Sequence, residues 1–268
     1  VRYFFLAAGL AALLWSGPPA PNRFRFAILG DRTGETVPGV YEQVWREAVA
    51  GNPDLVVSVG DSIQGLNDAT AAAEWAEVRR IWAGFAKPLL LAPGNHDIWS
   101  AASRQLYVQQ SGRPASYGFD FRGAHFTILD NSGGMQLSPA QTKFLEQDLE
   151  THEDSAPKFV VFHQPFWLIP LMLDNPDFPF HRLMKKHHVS AVIGGHTHQF
   201  AHFERDGILY LVMGSSGGHL RGHDPAKEYA QGWFFHHGEA EVVGGKVKIA
   251  VLEAGPPFGK ARRTALIE

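Results

Sequence analysis

"AVIGGHTH", residues 191–198, decides how this chain is read. Ala191–Ile193 is the end of an apolar run, and a glycine pair follows at once. Two imidazoles, His196 and His198, then stand one residue apart. A pair with that spacing either decorates a loop or supplies two ligands to metal. The test is whether other apolar runs in the chain end the same way.

They do. "FRFAIL" (24–29) runs into Gly30-Asp31, and "DLVVSV" (54–59) into Gly60-Asp61. "PLLLA" (88–92) leads to Gly94-Asn95-His96-Asp97, and "KFVVF" (158–162) to His163. Short apolar runs of this kind read as buried strands. Each therefore delivers a metal-competent or catalytic side chain just past its carboxyl end. In open α/β sheets that edge is where ligands bind. One such junction is common, but five in one chain point to a two-metal site. The chain has no cysteine, so its metal ligands must be imidazole, carboxylate and carbonyl groups. The 14 histidines fit metal binding or proton transfer.

Between these strands the pattern is helical. Tyr41–Ala50 spaces Val44, Trp45, Ala48 and Val49 on one face, and Ala69–Phe85 is rich in alanine. Ser138-Pro139 is a helix start, and that helix runs to about Thr151. "YGFDF" and "HFTIL" (117–121, 125–129) read as a hairpin, as does "EVVGGKVKI" (241–249) about Gly244-Gly245. Strands alternating with helices, then a strand-rich tail, predict an α/β sandwich. No linker divides it, so residues 22–268 read as a single domain.

The chain has 268 residues, 45% hydrophobic and 19% charged, which is enough to bury a sizeable core. A net charge of -3 gives no field that favours nucleic acid or an acidic membrane. Residues 1–21 differ from the rest. Arg2, an apolar run from Tyr3 to Trp15 and a proline-rich stretch match an export signal, with a short membrane anchor as the alternative. On that reading Val1 stands at a start codon translated otherwise than as methionine. The protein is then expected to be periplasmic or secreted.

The ordered series Gly30-Asp31, Gly60-Asp61, "GNHD" (94–97), His163 and "GHTH" (195–198) resembles that of the calcineurin-like metallophosphoesterases. The resemblance implies a four-layer α-β-β-α sandwich of the metallo-dependent phosphatase type. It implies a binuclear centre of two divalent or trivalent ions (Mn, Fe, Zn or Mg) that hydrolyses small phosphate esters. Asp61 would bridge both ions. Asn95, His163 and His196 would complete the second site, and Asp31 and His198 would serve the first. His96 would stabilise the transition state or protonate the leaving oxygen, with Asp97 orienting it.

The first motif departs from the family pattern. Asp-x-His is usual, and here it is Asp31-Arg32-Thr33. The amide oxygen of Gln64, three residues after the bridging aspartate, is the expected replacement, directly or through water. Arg32 is a candidate for phosphate oxygens, or for a salt bridge in its loop. In "GSSGGHLRGHD" (214–224), His219, Arg221 and His223 are candidates to cover a phosphate, and a plain surface loop is the alternative. The apolar segment 164–180 is expected to pack on its own domain rather than to wall a pocket or touch a membrane. The expected activity is that of a phosphomonoesterase, with a phosphodiesterase as the alternative. A metal-binding module that has lost catalysis is the competing class.

Overall fold

A computed structural model describes residues 22–175, 177–220, 229–254 and 263–267. The expected export signal at 1–21, together with Arg221 and His223, lies outside the described residues. Among the described residues, no helix is long and apolar enough to cross a membrane.

The apolar runs become strands β1 (Arg23–Leu29), β2 (Leu55–Ser58) and β3 (Leu89–Leu91), which pair in parallel. Residues that alternate along β1 split between two cores. Phe24, Phe26 and Ile28 face a second sheet, whereas Ala27 and Leu29 face helices. The second sheet holds β4 (Tyr117–Phe121), β5 (Ala124–Ile128), β6 (Lys158–Val161) and β7 (Ala191–Gly194), then β8 (Phe200–Arg205) and β9 (Ile208–Met213). Its order is β4-β5-β6-β7-β9-β8, with β5, β6, β7 and β9 parallel. Strands β10 (His236–Val243), β11 (Lys246–Glu253) and β12 (Arg263–Ile267) extend the first sheet antiparallel beside β1.

Helices cover both outer faces. α1 (Val40–Ala50), α2 (Ala71–Trp82) and α3 (Ala101–Ser111) pack on the first sheet through Tyr41, Trp45, Trp75, Trp82 and Tyr107. The indole N–H of Trp82 donates to the buried Tyr41 hydroxyl at 2.9 Å, so neither polar atom is stranded. α4 (Pro139–Thr151), α5 (Leu168–Met172) and α6 (Pro179–Lys186) cover the second sheet through Leu145, Leu149, Leu171 and Met184. The expected start of α4 is present as a reciprocal cap between Ser138 and Gln141, with Pro139 in the first turn. The four-layer α-β-β-α sandwich is therefore the architecture.

Two elements go beyond the sequence reading. α3 buries only Ser103 and Tyr107, too few apolar residues to mark a helical face. β8 is a sheet-edge strand whose residues are half-exposed or exposed, so no apolar run marks it. The segment 164–180 is not simply a loop. It contains α5 and the start of α6, and it packs on its own domain through Trp167 and Leu171, while Ile169, Met172 and Leu173 face solvent.

Candidate metal centre

The parallel strands of the two sheets end at one edge, and their next residues converge there. Asp31 and Asp61 follow β1 and β2, and Asn95 follows β3. His163 follows β6, while His196 and His198 follow β7. Asp31, Asp61, His196 and His198 all adopt positive φ (50°, 56°, 73° and 54°). Such backbone is uncommon outside glycine and clusters at functional sites. Two glycines admit the carboxylates. A Cβ on Gly94 would lie 2.0 Å from Asp61 Oδ1, and one on Gly195 would lie 2.4 Å from Asp31 Oδ2.

His163 Nε2 is the focus of one half of the cluster. It lies 3.2 Å from Asp61 Oδ2, 3.1 Å from Asn95 Oδ1 and 3.2 Å from His196 Nδ1. The other ring nitrogen of His163 donates to the Val59 carbonyl at 2.8 Å, so the neutral ring carries its lone pair on Nε2. Asn131, after β5, accepts the backbone N–H of His163 at 3.1 Å and that of Gln164 at 3.0 Å. It is a positioning residue that the sequence reading missed, although it follows a strand end like the others.

The second half gathers Asp31, Asp61 and His198, whose ligand atoms lie within 4.8 Å of one another. His198 donates through Nδ1 to the His219 carbonyl at 2.8 Å, which leaves Nε2 facing Asp31 Oδ1 at 3.8 Å. Asp31 Oδ1 accepts the His196 backbone N–H at 2.8 Å, but the buried Oδ2 has no hydrogen-bond partner among the described residues. A bare buried carboxylate oxygen is costly unless a cation completes it. Asp61, His163 and His196 form a second group within the same 4.8 Å limit, so Asp61 belongs to both. Carboxylate, imidazole and amide-carbonyl donors suit divalent ions, and the residues present fit that chemistry.

Electrostatics follow from the burial. Burial pushes the Asp31 carboxyl up to about 6, against the pull of His163 and His198. Burial would also raise Asp61, but the His163 imidazole beside it outweighs this and holds Asp61 below the usual carboxylate range. Burial pulls His163 down, yet Asp61 and Asp31 raise it to about 9. His196 is lowered to about 4 by burial and by the neighbouring His163.

Several expected roles need correction. Asp97 does not orient His96. Its carboxylate is fully buried and accepts the backbone N–H groups of Ser62 (2.8 Å), Ile63 (3.3 Å) and Gly94 (2.9 Å). It thereby ties the loop of Asp61 to the loop of Asn95. His96 is held by the Gln64 carbonyl instead, 2.6 Å from its Nδ1. Of the two readings of Arg32, the salt bridge is the one formed: its buried guanidinium pairs with Glu77 on α2 at 2.5 Å and does not line the cavity. The side-chain oxygen of Gln64 accepts the Thr33 hydroxyl at 2.5 Å and, at the cavity wall, keeps a second lone pair for an ion or a water. His219 lines the cavity, and its backbone carbonyl, not its ring, orients His198. The cavity is open, about 370 Å³, and is lined by Asp61, Gln64, Asn95, His96, His196, His198 and His219, with Glu35 at its rim.

Comparison with known proteins agrees with this geometry. Residues 24–200 match the calcineurin-like phosphoesterase family. Over 144 residues the chain is 26% identical to a protein of Vesicomyosocius okutanii subsp. Calyptogena okutanii (strain HA) named "Probable cyclic nucleotide phosphodiesterase", covering 48% of this chain and 57% of that protein. The fold superposes on a purple acid phosphatase from yellow lupin (Lupinus luteus) seeds with a TM-score of 0.65 at 13% identity, covering 91% of this chain and 54% of that one. It also superposes on the anchor in the inner membrane complex of Plasmodium, with a TM-score of 0.63 at 15% identity, covering 92% and 90%. The chain thus spans little more than half the length of the first two proteins.

Proposed function

Because this chain belongs to the calcineurin-like phosphoesterase family, we propose that it hydrolyses phosphate esters at a binuclear centre bridged by Asp61. The observation that carries this reading is the membership of Asp61 in two separate ligand groups, Asp61-His163-His196 and Asp31-Asp61-His198. Asn95 would complete the first group through its carbonyl oxygen, 3.1 Å from His163 Nε2. Divalent ions held there would neutralise phosphate charge and lower the pKa of water towards neutrality.

The chain's own residues supply the rest. His96 lines the cavity, and its Nδ1–H is fixed on the Gln64 carbonyl. In its imidazolium form the ring, held in this way, gives the Nε2 proton to the departing ester oxygen. Asp97 keeps the Asp61 and Asn95 loops together through its three backbone partners. The Thr33-Gln64 pair stands where the family places a histidine. The half-site of Asp31 and His198 therefore has fewer protein ligands than its neighbour.

Cavity charge supports a diester over the monoester expected from sequence. No lysine or arginine is among the described residues lining it, Arg32 is committed to Glu77, and Glu35 adds a negative charge. A monoester carries nearly two negative charges at neutral pH and a diester carries one. The name of the phosphodiesterase relative is consistent with this. The test is hydrolysis of bis(4-nitrophenyl) phosphate against 4-nitrophenyl phosphate at saturating Mn²⁺. Faster turnover of the diester is expected, and faster turnover of the monoester overturns the preference. Hydrolysis of neither would leave the binding-module reading in its place.

A further inference from the structure

Away from the catalytic edge, a second group of metal-type side chains lies where β4, β5 and the end of α4 meet. His125 is the second residue of β5 and is fully buried, Asp120 lies on β4, and His152 caps α4. Ligand atoms of Asp120, His125 and His152 all lie within 4.8 Å of one another. We propose that this is a further metal site, taking one zinc-type divalent ion on His125 Nδ1, His152 Nε2 and the Asp120 carboxylate.

The hydrogen bonds assign the free nitrogens. His125 Nε2 lies 2.9 Å from Asp148 Oδ2, an oxygen that also accepts the Thr127 hydroxyl at 2.7 Å. That carboxylate takes the Nε2–H and leaves the Nδ1 lone pair directed at Asp120 Oδ1, 2.7 Å away. His152 donates through Nδ1 to the Asp148 backbone carbonyl at 2.7 Å, which leaves Nε2 facing Asp120 Oδ2 at 3.6 Å. Each imidazole thus has one nitrogen anchored by an acceptor and the other turned to the same carboxylate. Ligating histidines are commonly held in this way.

Protons alone answer only part of this arrangement. If His125 is an imidazolium, it satisfies Asp120 and Asp148 together. His152 Nε2 then still faces a carboxylate oxygen without a hydrogen between them. Charging both rings is unfavourable, because they stack 3.6 Å apart at 15°. One divalent ion between them and Asp120 answers all three acceptors. Coordination tilts the rings out of their parallel stack, since parallel lone pairs do not meet at one ion, and Asp120, 64% exposed, is free to adjust. The end of α4 also favours a cation, since its last carbonyls carry partial negative charge. Two imidazoles and a carboxylate, with water as a fourth ligand, suit zinc. Such an ion would pin the β4-β5 hairpin to α4, at the end of β5 opposite Asn131 and the catalytic cavity.

The test is equilibrium dialysis of the chelator-treated full chain against micromolar Zn²⁺, followed by elemental analysis. Asp120→Asn and His152→Ala are compared with the unaltered chain. Each variant should hold one zinc fewer per chain while its Mn²⁺-supported hydrolysis of the aryl diester is unchanged. Zinc should also raise the melting temperature of Asp61→Asn, in which the catalytic centre is disabled, but not that of Asp61→Asn combined with Asp120→Asn. Equal zinc content in the unaltered chain and both variants would overturn the proposal and leave a proton-bridged cluster. The zinc count remains readable if neither aryl ester is hydrolysed, so failure of this site and failure of the phosphoesterase reading are distinguishable.

Discussion

The half of the proposed metal centre around His163 and the half around His198 share Asp61 but differ in what the chain supplies. Around His163, an imidazole, a carboxylate and an amide oxygen lie within 3.2 Å of one nitrogen. Around His198, Asp31 Oδ1 is 3.8 Å away, and the Gln64 amide oxygen is shared with the Thr33 hydroxyl. The same fold edge thus builds one nearly complete site and one open site. Two ions sharing a carboxylate need not be held equally, and the open half has room for substrate oxygen or water.

The largest effect should come from the shared residue. Asp61→Asn weakens both halves at once, so the purified variant should lose most bound metal and nearly all hydrolysis. Retention of two ions and normal turnover would remove Asp61 from the bridge. His96→Ala touches neither half. It should keep its metal content yet lose roughly 10²–10⁴-fold in rate, and less with acidic leaving groups, which need no proton. An equal loss across leaving groups would make His96 an electrostatic stabiliser rather than a proton donor.

Asn131→Ala should act on the His163 half alone, because Asn131 fixes the backbone of His163 and Gln164. Loss of such a supporting partner costs about 10–100-fold in metal affinity. A loss confined to the other half would break the comparison. Acidity separates the halves as well. His163, raised to about 9 in the metal-free chain, must give up a proton before Nε2 can coordinate. Affinity at its half should therefore fall about tenfold for each pH unit below that value. At pH 8, uptake should release about one proton, measurable as a buffer-dependent heat of binding. Asp31, at about 6, is already ionised at that pH and adds no such dependence until the pH drops through its own value. No proton release at pH 8 would mean that His163 is neutral before metal arrives.

The smallest effect is expected at Thr33 and Gln64. Thr33→His should tighten the His198 half by about tenfold, and Gln64→Ala should loosen it by a similar or smaller factor. Indifference to both would mean that Asp31, Asp61 and His198 hold that ion unaided.

The reasons some of this was legible in the sequence are physical. Buried parallel strands are continuous apolar runs, so their carboxyl ends stand out and the ligands stand with them. β5 is such a strand too, and applying the same question to its end at "LDN" (129–131) would have found Asn131. Side-chain direction was not legible. Asp97 is next to His96 in sequence, but its carboxylate turns inward to three N–H groups. Arg32 follows a metal ligand, but its partner Glu77 is 45 residues away on α2. The His198-His219 contact runs through a backbone carbonyl, which no residue type announces. The second cluster was hidden because Asp120, His125 and His152 follow no motif and meet only when β4, β5 and α4 pack.

The central claim is one bridging aspartate between two unequal halves. Its most direct test is titration of Mn²⁺ into the chelator-treated chain at pH 8, with bound metal and diester hydrolysis followed in the same samples. The account predicts two binding steps of different affinity, with hydrolysis rising along the weaker one, and the weaker step alone shifting in Thr33→His. Two equal steps, or hydrolysis that is complete after the first ion, would contradict it.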